Sequence, residues 1–436
     1  MQLTDYQLAV IPKLSGGNTF LWWDAGSGKT LPMLYAGASL GGRVLYLCPP
    51  VVRLQIAREA EIFRCFARSD IQVILTSKDK VAPQAKLVVC SYEMASTDAI
   101  WKQLFKLEWE ALALDEAHLL KNTQAKRTRA VYGARTNSAG ALYRAAKRIW
   151  CATGTPLLAD PSDLWTHVSR LYPQVLSDME IRSRDEWIDR FCYTQQTPYG
   201  PKILGGRRLD ELKAALKPIV SRVKKTGLPP LTQTDIWVPP AALDLSGVPE
   251  EALEELRKLL VKGAVDDLEA LAVPLATLRK RIGLAKAAHC VELVLQEAQG
   301  GVGKTVVFYQ HKQVVAEMIA LLEKSRLQGA WAHYAGGMSP QRREAVVKEF
   351  FGADKHLLLA QLQASGVGLN LQAAERVIIL EPSWTPAINE QAIARAWRKG
   401  QNKNVWASCV ILEGSVDEAV LTCVQRKSAI IDKVLA

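Results

Sequence analysis

Seven consecutive residues, Asp24-Ala25-Gly26-Ser27-Gly28-Lys29-Thr30, have the types and order needed to hold phosphate. They follow a short apolar run, TFLWW (19–23), and precede the helix-prone LPMLYAGASL. In a strand, glycine-rich turn and helix of this kind, Gly26, Ser27 and Gly28 let backbone N–H groups approach an anion, and the helix N-terminus favours negative charge. Lys29 would reach the β- and γ-phosphates of a nucleotide, and Thr30 would hold Mg²⁺. The strict spacing of such a loop puts a glycine at position 23, where this chain has Trp23; the bland alternative is a plain loop.

A second pattern could do the complementary chemistry. The run ALALD (111–115) continues into Asp115-Glu116-Ala117-His118, which sets two adjacent carboxylates at the carboxyl end of a strand, where open α/β sheets hold their ligands. Asp115 would hold Mg²⁺ and Glu116 would orient and polarise an attacking water, against the alternative of a solvated acidic turn. Gly300-Gly301-Val302-Gly303-Lys304-Thr305 has a similar composition but precedes the strand-like VVFYQ. No helix N-terminus follows it to face a phosphate, so it reads as a turn.

These groups need a scaffold, and 436 residues supply enough chain for two or three domains with real cores. Apolar residues at 49% and charged residues at 23% match a folded globular protein and exclude a disordered one. Strand-type runs recur at 19–23, 43–48, 86–92, 111–115 and 148–154, and again at 305–310, 329–336, 355–361, 376–381 and 405–412, with helix-like stretches between them. The expected fold is therefore α/β, with two tandem lobes of parallel sheet flanked by helices at 1–173 and 286–436. Between them, TQQTPYGPKILGGRR and GLPPL break the pattern, and an insertion and linker are expected over 174–285.

Lys and Arg outnumber Asp and Glu by 55 to 44, a net charge of +11. Such a surface attracts polyanions, nucleic acid first, or else serves solubility. Eight scattered cysteines form no C-x-x-C pair and read as buried thiols of a reducing compartment. The N-terminus lacks a leading basic cluster, and no apolar run reaches the ~18 residues of a membrane helix, so neither secretion nor membrane insertion is expected.

Read together, the motifs resemble the superfamily 2 helicase core, and within it the Snf2 group of DNA translocases. Leu3-Thr4-Asp5-Tyr6-Gln7 resembles its adenine-reading motif, Cys48-Pro49-Pro50 and Val89 to Glu93 its strand-end DNA motifs, DEAHLLKN (115–122) its acidic motif and Thr153-Gly154-Thr155-Pro156 its coupling motif. In the second lobe Val307 to Lys312 is similar to the opening motif, Ala364 to Leu371 to the glycine-rich one, and Gln391-Ala392-Ile393-Ala394-Arg395-Ala396-Trp397-Arg398-Lys399-Gly400-Gln401 to the arginine motif. Arg190-Phe191, Gly205-Gly206, Leu212 and Arg222 to Lys225 resemble the helical Snf2 insertions that grip duplex. Ala285-Lys286 and Val307 to Val314 look most like the annealing-helicase branch. The chain departs from the pattern at Leu158-Ala159-Asp160 and at Ser365, positions that bear on coupling more than on hydrolysis.

The resemblance implies two RecA-like lobes and a Mg²⁺- and ATP-dependent motor on double-stranded or branched DNA, tracked without sequence preference. It implies nucleotide contacts from Tyr6, Gln7, Gly26, Ser27, Gly28, Lys29, Thr30, Gly368 and Gln391, and metal binding by Thr30 and Asp115. Lys29, Asp115 and Glu116 would act in hydrolysis with Arg395 and Arg398 as arginine fingers. Those two arginines, at i and i+3, would share one helix face; taken alone, the stretch also fits a basic surface helix. His118, Thr153 and Thr155 would couple hydrolysis to DNA, and Pro50, Ser91, Tyr92, Lys121, Lys312, Asn370 and Trp384 would contact it. For Trp384, core packing is an equal alternative. With no reader module after Gly414 to Lys427, a monomeric core motor is expected rather than a nucleosome remodeller, cytoplasmic in a prokaryotic or phage-infected cell and nuclear in a eukaryote. The rival readings are a strand-separating DEAH-type helicase on DNA or RNA and an ATP-controlled DNA-binding switch.

Overall fold

A computed structural model describes residues 3–133, 140–197, 200–224, 227–239, 272–364 and 369–435. The chain forms two compact units, one of residues 1–226 with 429–436 and one of residues 227–428. Each is built on a parallel sheet.

The first unit contains strands β1 (Thr19–Trp23), β2 (Val44–Cys48), β3 (Ile71–Val73), β4 (Leu87–Ser91), β5 (Ala111–Asp115), β6 (Ile149–Thr153), β7 (Cys192–Thr197), β8 (Gly200–Gly206) and β9 (Val220–Val223). Seven of them form one sheet in the order β3-β4-β2-β5-β6-β1-β9, with every pairing parallel. β1, β2, β4 and β6 are buried along their whole length; covered on both faces, they read as continuous apolar runs rather than alternating ones. Of the tryptophans buried here, the four with the least exposure each find an acceptor for the indole N–H: Trp23 with Ser221 Oγ (3.1 Å), Trp109 with the Leu104 carbonyl (2.9 Å), Trp150 with that of Leu14 (2.9 Å) and Trp187 with that of Pro161 (3.0 Å). Their apolar area is thus removed from water without orphaning a donor.

The strand order sets up the site. β5, β6 and β1 are neighbours, with Asp115 beside Ala152 and Thr153 beside Trp22. The acidic motif, Thr153 and the glycine-rich loop therefore leave the sheet side by side at the carboxyl ends of three adjacent strands.

The second unit carries β10 (Leu231–Val238), β11 (Thr305–Tyr309), β12 (Trp331–Tyr334), β13 (Leu357–Gln361), β14 (Arg376–Ile379) and β15 (Val405–Leu412), in the order β10-β15-β14-β11-β13-β12, again all parallel. Beneath the sheet Lys286, fully buried, donates to the Val410 carbonyl (2.7 Å) and to Asp417 (2.6 Å), whose carboxylate also accepts the Leu412 N–H (3.2 Å). The pair ties the helix Ala272–Gln299 to β15 and to the helix Val416–Leu435. Gly300 and Gly301, the latter at φ +86°, make the expected turn between helix and β11.

The stretch 174–285 combines helices with strands. Its described residues contain an antiparallel hairpin of β7 and β8 besides the helices Arg184–Phe191 and Leu209–Leu216. β9 completes the first sheet and β10 the second. Both are edge strands with few buried residues, so neither carries the continuous apolar run that marks the interior strands. Residues 240–271 lie outside the described residues.

Candidate nucleotide site

The glycine-rich loop spans the end of β1 and the start of the helix Thr30–Ser39. Gly26 (φ +80°) and Gly28 (φ +77°) take left-handed backbone conformations that other residues rarely adopt. A Cβ on Gly28 would also meet Gln7 Nε2 at 2.7 Å. The glycine missing at 23 has a simple account. Trp23 is the last residue of a fully buried strand, so the loop begins at Asp24, and position 23 belongs to the core.

The helix Asp5–Gly16 delivers Tyr6 and Gln7 to this loop. The Tyr6 hydroxyl donates to the Ser27 carbonyl (2.9 Å) and Gln7 Nε2 to that of Gly28 (2.9 Å). Gln7 is held in turn by Thr4, whose N–H donates to Gln7 Oε1 (2.9 Å) in a capping box. The Tyr6 ring meets Trp23 edge-on at 5.3 Å. Lys29, largely buried, donates to the carbonyls of Trp23 (2.9 Å) and Asp24 (3.2 Å).

At the end of β5 the backbone turns sharply: Glu116 sits at φ +50°, ψ +49°, a strained setting for a residue with a side chain and one typical of functional sites. Burial, with the Glu116 charge beside it, pushes the Asp115 carboxyl well above its usual range, while Lys29 pulls the other way. Two crowded carboxylates near one ammonium suit a divalent cation; Thr30 opens the helix that follows the loop.

His118 gathers Thr153, Thr155 and Glu116. Its Nδ1 lies 3.0 Å from Thr153 Oγ1, 3.4 Å from Thr155 Oγ1 and 3.3 Å from Glu116 Oε2, and Thr155 N–H donates to Thr153 Oγ1 (3.0 Å). Burial lowers the His118 pKa, which keeps the ring neutral. Where the sequence departs from the resembled pattern at Leu158-Ala159-Asp160, Asp163 accepts the N–H groups of Leu158 (2.8 Å) and Ala159 (3.0 Å) and so holds that turn by itself. Asp163 also pairs with Lys121 (3.2 Å).

Sequence reasoning missed His167. It accepts or donates at 2.9 Å with the buried Tyr132 hydroxyl and hydrogen-bonds the backbone of Ala117, inside the acidic motif. Nothing in its spacing marks it, because its partners lie 35 and 50 residues away in sequence.

Several of the residues expected to contact DNA are buried. Ser91 and Tyr92 are buried: Ser91 caps a short helix by accepting the Met94 N–H (3.2 Å), and the Tyr92 hydroxyl donates to the Asp115 carbonyl (2.7 Å). Both side chains are engaged inside the protein at the edge of the site. Trp384 is also buried, in the core of the second unit, with Arg279 over its ring at 5.7 Å. Pro50 and Lys312 are exposed; Asn370 Oδ1 accepts the Gln372 N–H (3.3 Å). The fully positioned neighbour of Lys312 is His311, which with Gln310 is held by Glu381, an acceptor for both backbone N–H groups (2.7 and 3.0 Å) and for the His311 ring (2.5 Å).

Arg395 and Arg398 do not share a helix. Gln391 and Arg395 lie on the helix Pro386–Ala396, but the chain leaves helical geometry at Trp397 (ψ +82°), whose indole donates to the Pro229 carbonyl (2.8 Å). Arg398 follows in the turn completed by Gly400 at φ +95°. Gly368 lies outside the described residues. All eight cysteines are free thiols. Among the described residues no cluster of metal-binding side chains occurs and no helix is long and apolar enough to cross a membrane.

Comparison with known proteins places two domains on the chain. Residues 54–245 match the SNF2-related domain and residues 285–400 the helicase conserved C-terminal domain. A Xenopus tropicalis protein named SWI/SNF-related matrix-associated actin-dependent regulator of chromatin subfamily A-like protein 1 is 26% identical over 423 residues, covering 94% of this chain and 42% of its own length. The DNA annealing helicase and endonuclease ZRANB3 of Mus musculus is 24% identical over 375 residues, 83% of this chain and 33% of its own. This chain thus spans less than half the length of either relative. The Sulfolobus solfataricus SWI2/SNF2 ATPase core in complex with dsDNA aligns with a TM-score of 0.45 and 21% identity, over 99% of this chain and 92% of that one.

Proposed function

The chain belongs to the SNF2-related proteins with a helicase C-terminal domain, and from that premise we propose that it is an ATP-driven motor that translocates on double-stranded or branched DNA. The observation that carries the reading is the grouping at the ends of β1, β6 and β5: a glycine-rich loop with its lysine, a pair of carboxylates, and a histidine bonded to both threonines of the coupling motif. A plain nucleotide-binding fold needs the first two. Only a machine that passes the state of its nucleotide to a second site has use for the third.

In this reading Tyr6 and Gln7 meet the base, and the loop N–H groups with Lys29 take the phosphates. Magnesium, held by Thr30 and Asp115, neutralises phosphate charge when bound. Glu116 orients the attacking water, its position fixed by the left-handed backbone at that residue. Arg395 and Arg398 stabilise transition-state charge, an effect worth ~10³ to 10⁵ in rate in related nucleotidases. His118 reads the state of Glu116 and passes it to Thr153 and Thr155. The net charge of +11 supports binding through DNA phosphates, hence without sequence preference and with strong salt dependence. The name of one relative, a DNA annealing helicase, supports reannealing as the output; branch migration and protein displacement are the other outputs such a motor could have.

Displacement of a third strand from a DNA triplex tests translocation. ATP-dependent release of that strand without separation of the underlying duplex is the expected result. Separation of a tailed duplex would move the assignment to a strand-separating helicase, and ATP hydrolysis with neither outcome would leave the switch.

A further inference from the structure

The glycine-rich loop is held from an unexpected direction. β9 comes almost two hundred residues after β1 yet pairs with it in parallel, Phe20 to Val220, Leu21 to Ser221, Trp22 to Arg222 and Trp23 to Val223. It is also the last strand of the first unit before the chain passes into the second at Gly227. At its carboxyl end the contacts concentrate on the first residues of the loop. Arg222 donates to Asp24 Oδ1 (2.8 Å) and to the Trp22 carbonyl (2.6 Å). Asp24 N–H donates to the Val223 carbonyl (3.2 Å), and the Trp23 indole to Ser221 Oγ (3.1 Å).

The next link leads to the phosphate-binding lysine. Lys29 donates to the carbonyls of Trp23 and Asp24, the same two residues that β9 holds, and Tyr6 leans on Trp23 from the other side. β9 is short and on the sheet edge, so few ladder bonds fix its register. The side chains of Arg222 and Asp24 are about a quarter exposed, and a pair so open to solvent adds little to stability. What it does contribute is geometry, since it joins β9 to the first residue of the loop.

We propose that Arg222 is a positioning residue for the nucleotide site, bracing Asp24 so that the glycine-rich loop takes its shape from the seat of β9. The inference rests on the nucleotide reading of that loop. It makes phosphate affinity depend on whether the strand by which the chain leaves the first unit is in register. Displacing β9 releases Asp24 and Trp23, and with them the carbonyls on which Lys29 rests.

The test uses the full chain and Mg·ATP, with Arg222→Ala, Arg222→Lys, Asp24→Ala and the double alanine variant. Steady-state KM and kcat are measured beside equilibrium binding of a fluorescent ATP analogue and thermal melting. Loss of one charge-assisted bond should raise KM about five- to tenfold in each single alanine variant, with kcat changed less and melting nearly unmoved. The double variant should be no worse than either single one, because both remove the same contact, and Arg222→Lys should recover part of the loss. Unchanged KM in Arg222→Ala, or additive losses in the double variant, overturns the brace. So does a KM increase that appears only together with a large fall in melting temperature, since that is a structural role. A wild-type chain that neither binds nor hydrolyses ATP overturns the nucleotide reading and the brace with it; a wild type that does both, beside an unaffected Arg222→Ala, overturns the brace alone.

Discussion

Protonating His167 should loosen the first unit as the pH falls. The imidazole is buried against Phe20 and Tyr132 and bonded to the Ala117 backbone, and burial depresses its pKa from 6.5 to about 4. Between those values the unfolded chain binds a proton that the folded chain refuses, so stability rises with pH across the window and is lost on acidification. At ~1.4 kcal/mol per pKa unit, the loss reaches about 2 kcal/mol by pH 5 and about 3 kcal/mol by pH 4. Urea unfolding followed by tryptophan fluorescence from pH 7.5 to 4, for wild type and His167→Gln, isolates the effect. Gln can still bond Tyr132 and Ala117 but does not titrate, and the carboxylates common to both proteins cancel in the difference. The wild type should lose stability relative to the variant by these amounts. Parallel pH profiles would refute the reasoning and mean that the ring is hydrated or charged in the fold.

Three further perturbations have defined outcomes. Lys286→Met strands the buried Asp417 carboxylate and should cost about 3–5 kcal/mol in urea unfolding, whereas adding Asp417→Asn, which still accepts the Leu412 N–H, should restore most of it. Gln7→Ala removes the bond to the Gly28 carbonyl and should raise KM for ATP by roughly tenfold, a loss of ~1.4 kcal/mol, while narrowing the preference for ATP over GTP. Tyr92→Phe leaves the Asp115 carbonyl without its donor and should destabilise by about 1–3 kcal/mol, with a fall in kcat that a surface residue contacting only DNA would not produce in the absence of DNA.

The interior of the fold was legible because parallel strands buried on both faces have no choice but to be apolar. TFLWW, ALALD and VWASCVIL are read as strands at the same bounds the structure gives them. The edges were not legible. β9 and β10 are polar and partly exposed, so nothing in VSRV or LTQTDIWV separates them from a linker until the neighbouring strand is known. The same limit governs the site. Gly26, Gly28, Lys29, Asp115, Glu116 and His118 carry local signatures of chemistry, and the structure groups those of the first unit around three adjacent strand ends. Residues defined by tertiary partners, such as His167 and Asp163, carry none, and the motif around Arg222 gave no sign of its contact with Asp24. The burial of Ser91 and Tyr92 was hidden for a related reason: a polar residue at a strand end looks open to a ligand, and only packing shows that its hydroxyl also has a partner within the protein. Arg398 was assigned to a helix by spacing, but the non-helical backbone at Trp397 ends that helix first.

The central claim is that the carboxylate pair hydrolyses ATP under the control of duplex DNA. Steady-state ATP hydrolysis by the wild type and by Glu116→Gln, with no nucleic acid, single-stranded DNA, duplex DNA, forked DNA and RNA, tests it most directly. Strong stimulation of the wild type by duplex or forked DNA, with the variant binding ATP but turning over at least about 10²-fold more slowly, is the predicted result. Stimulation by single strands or RNA alone, or a Glu116→Gln variant as fast as wild type, would contradict the account.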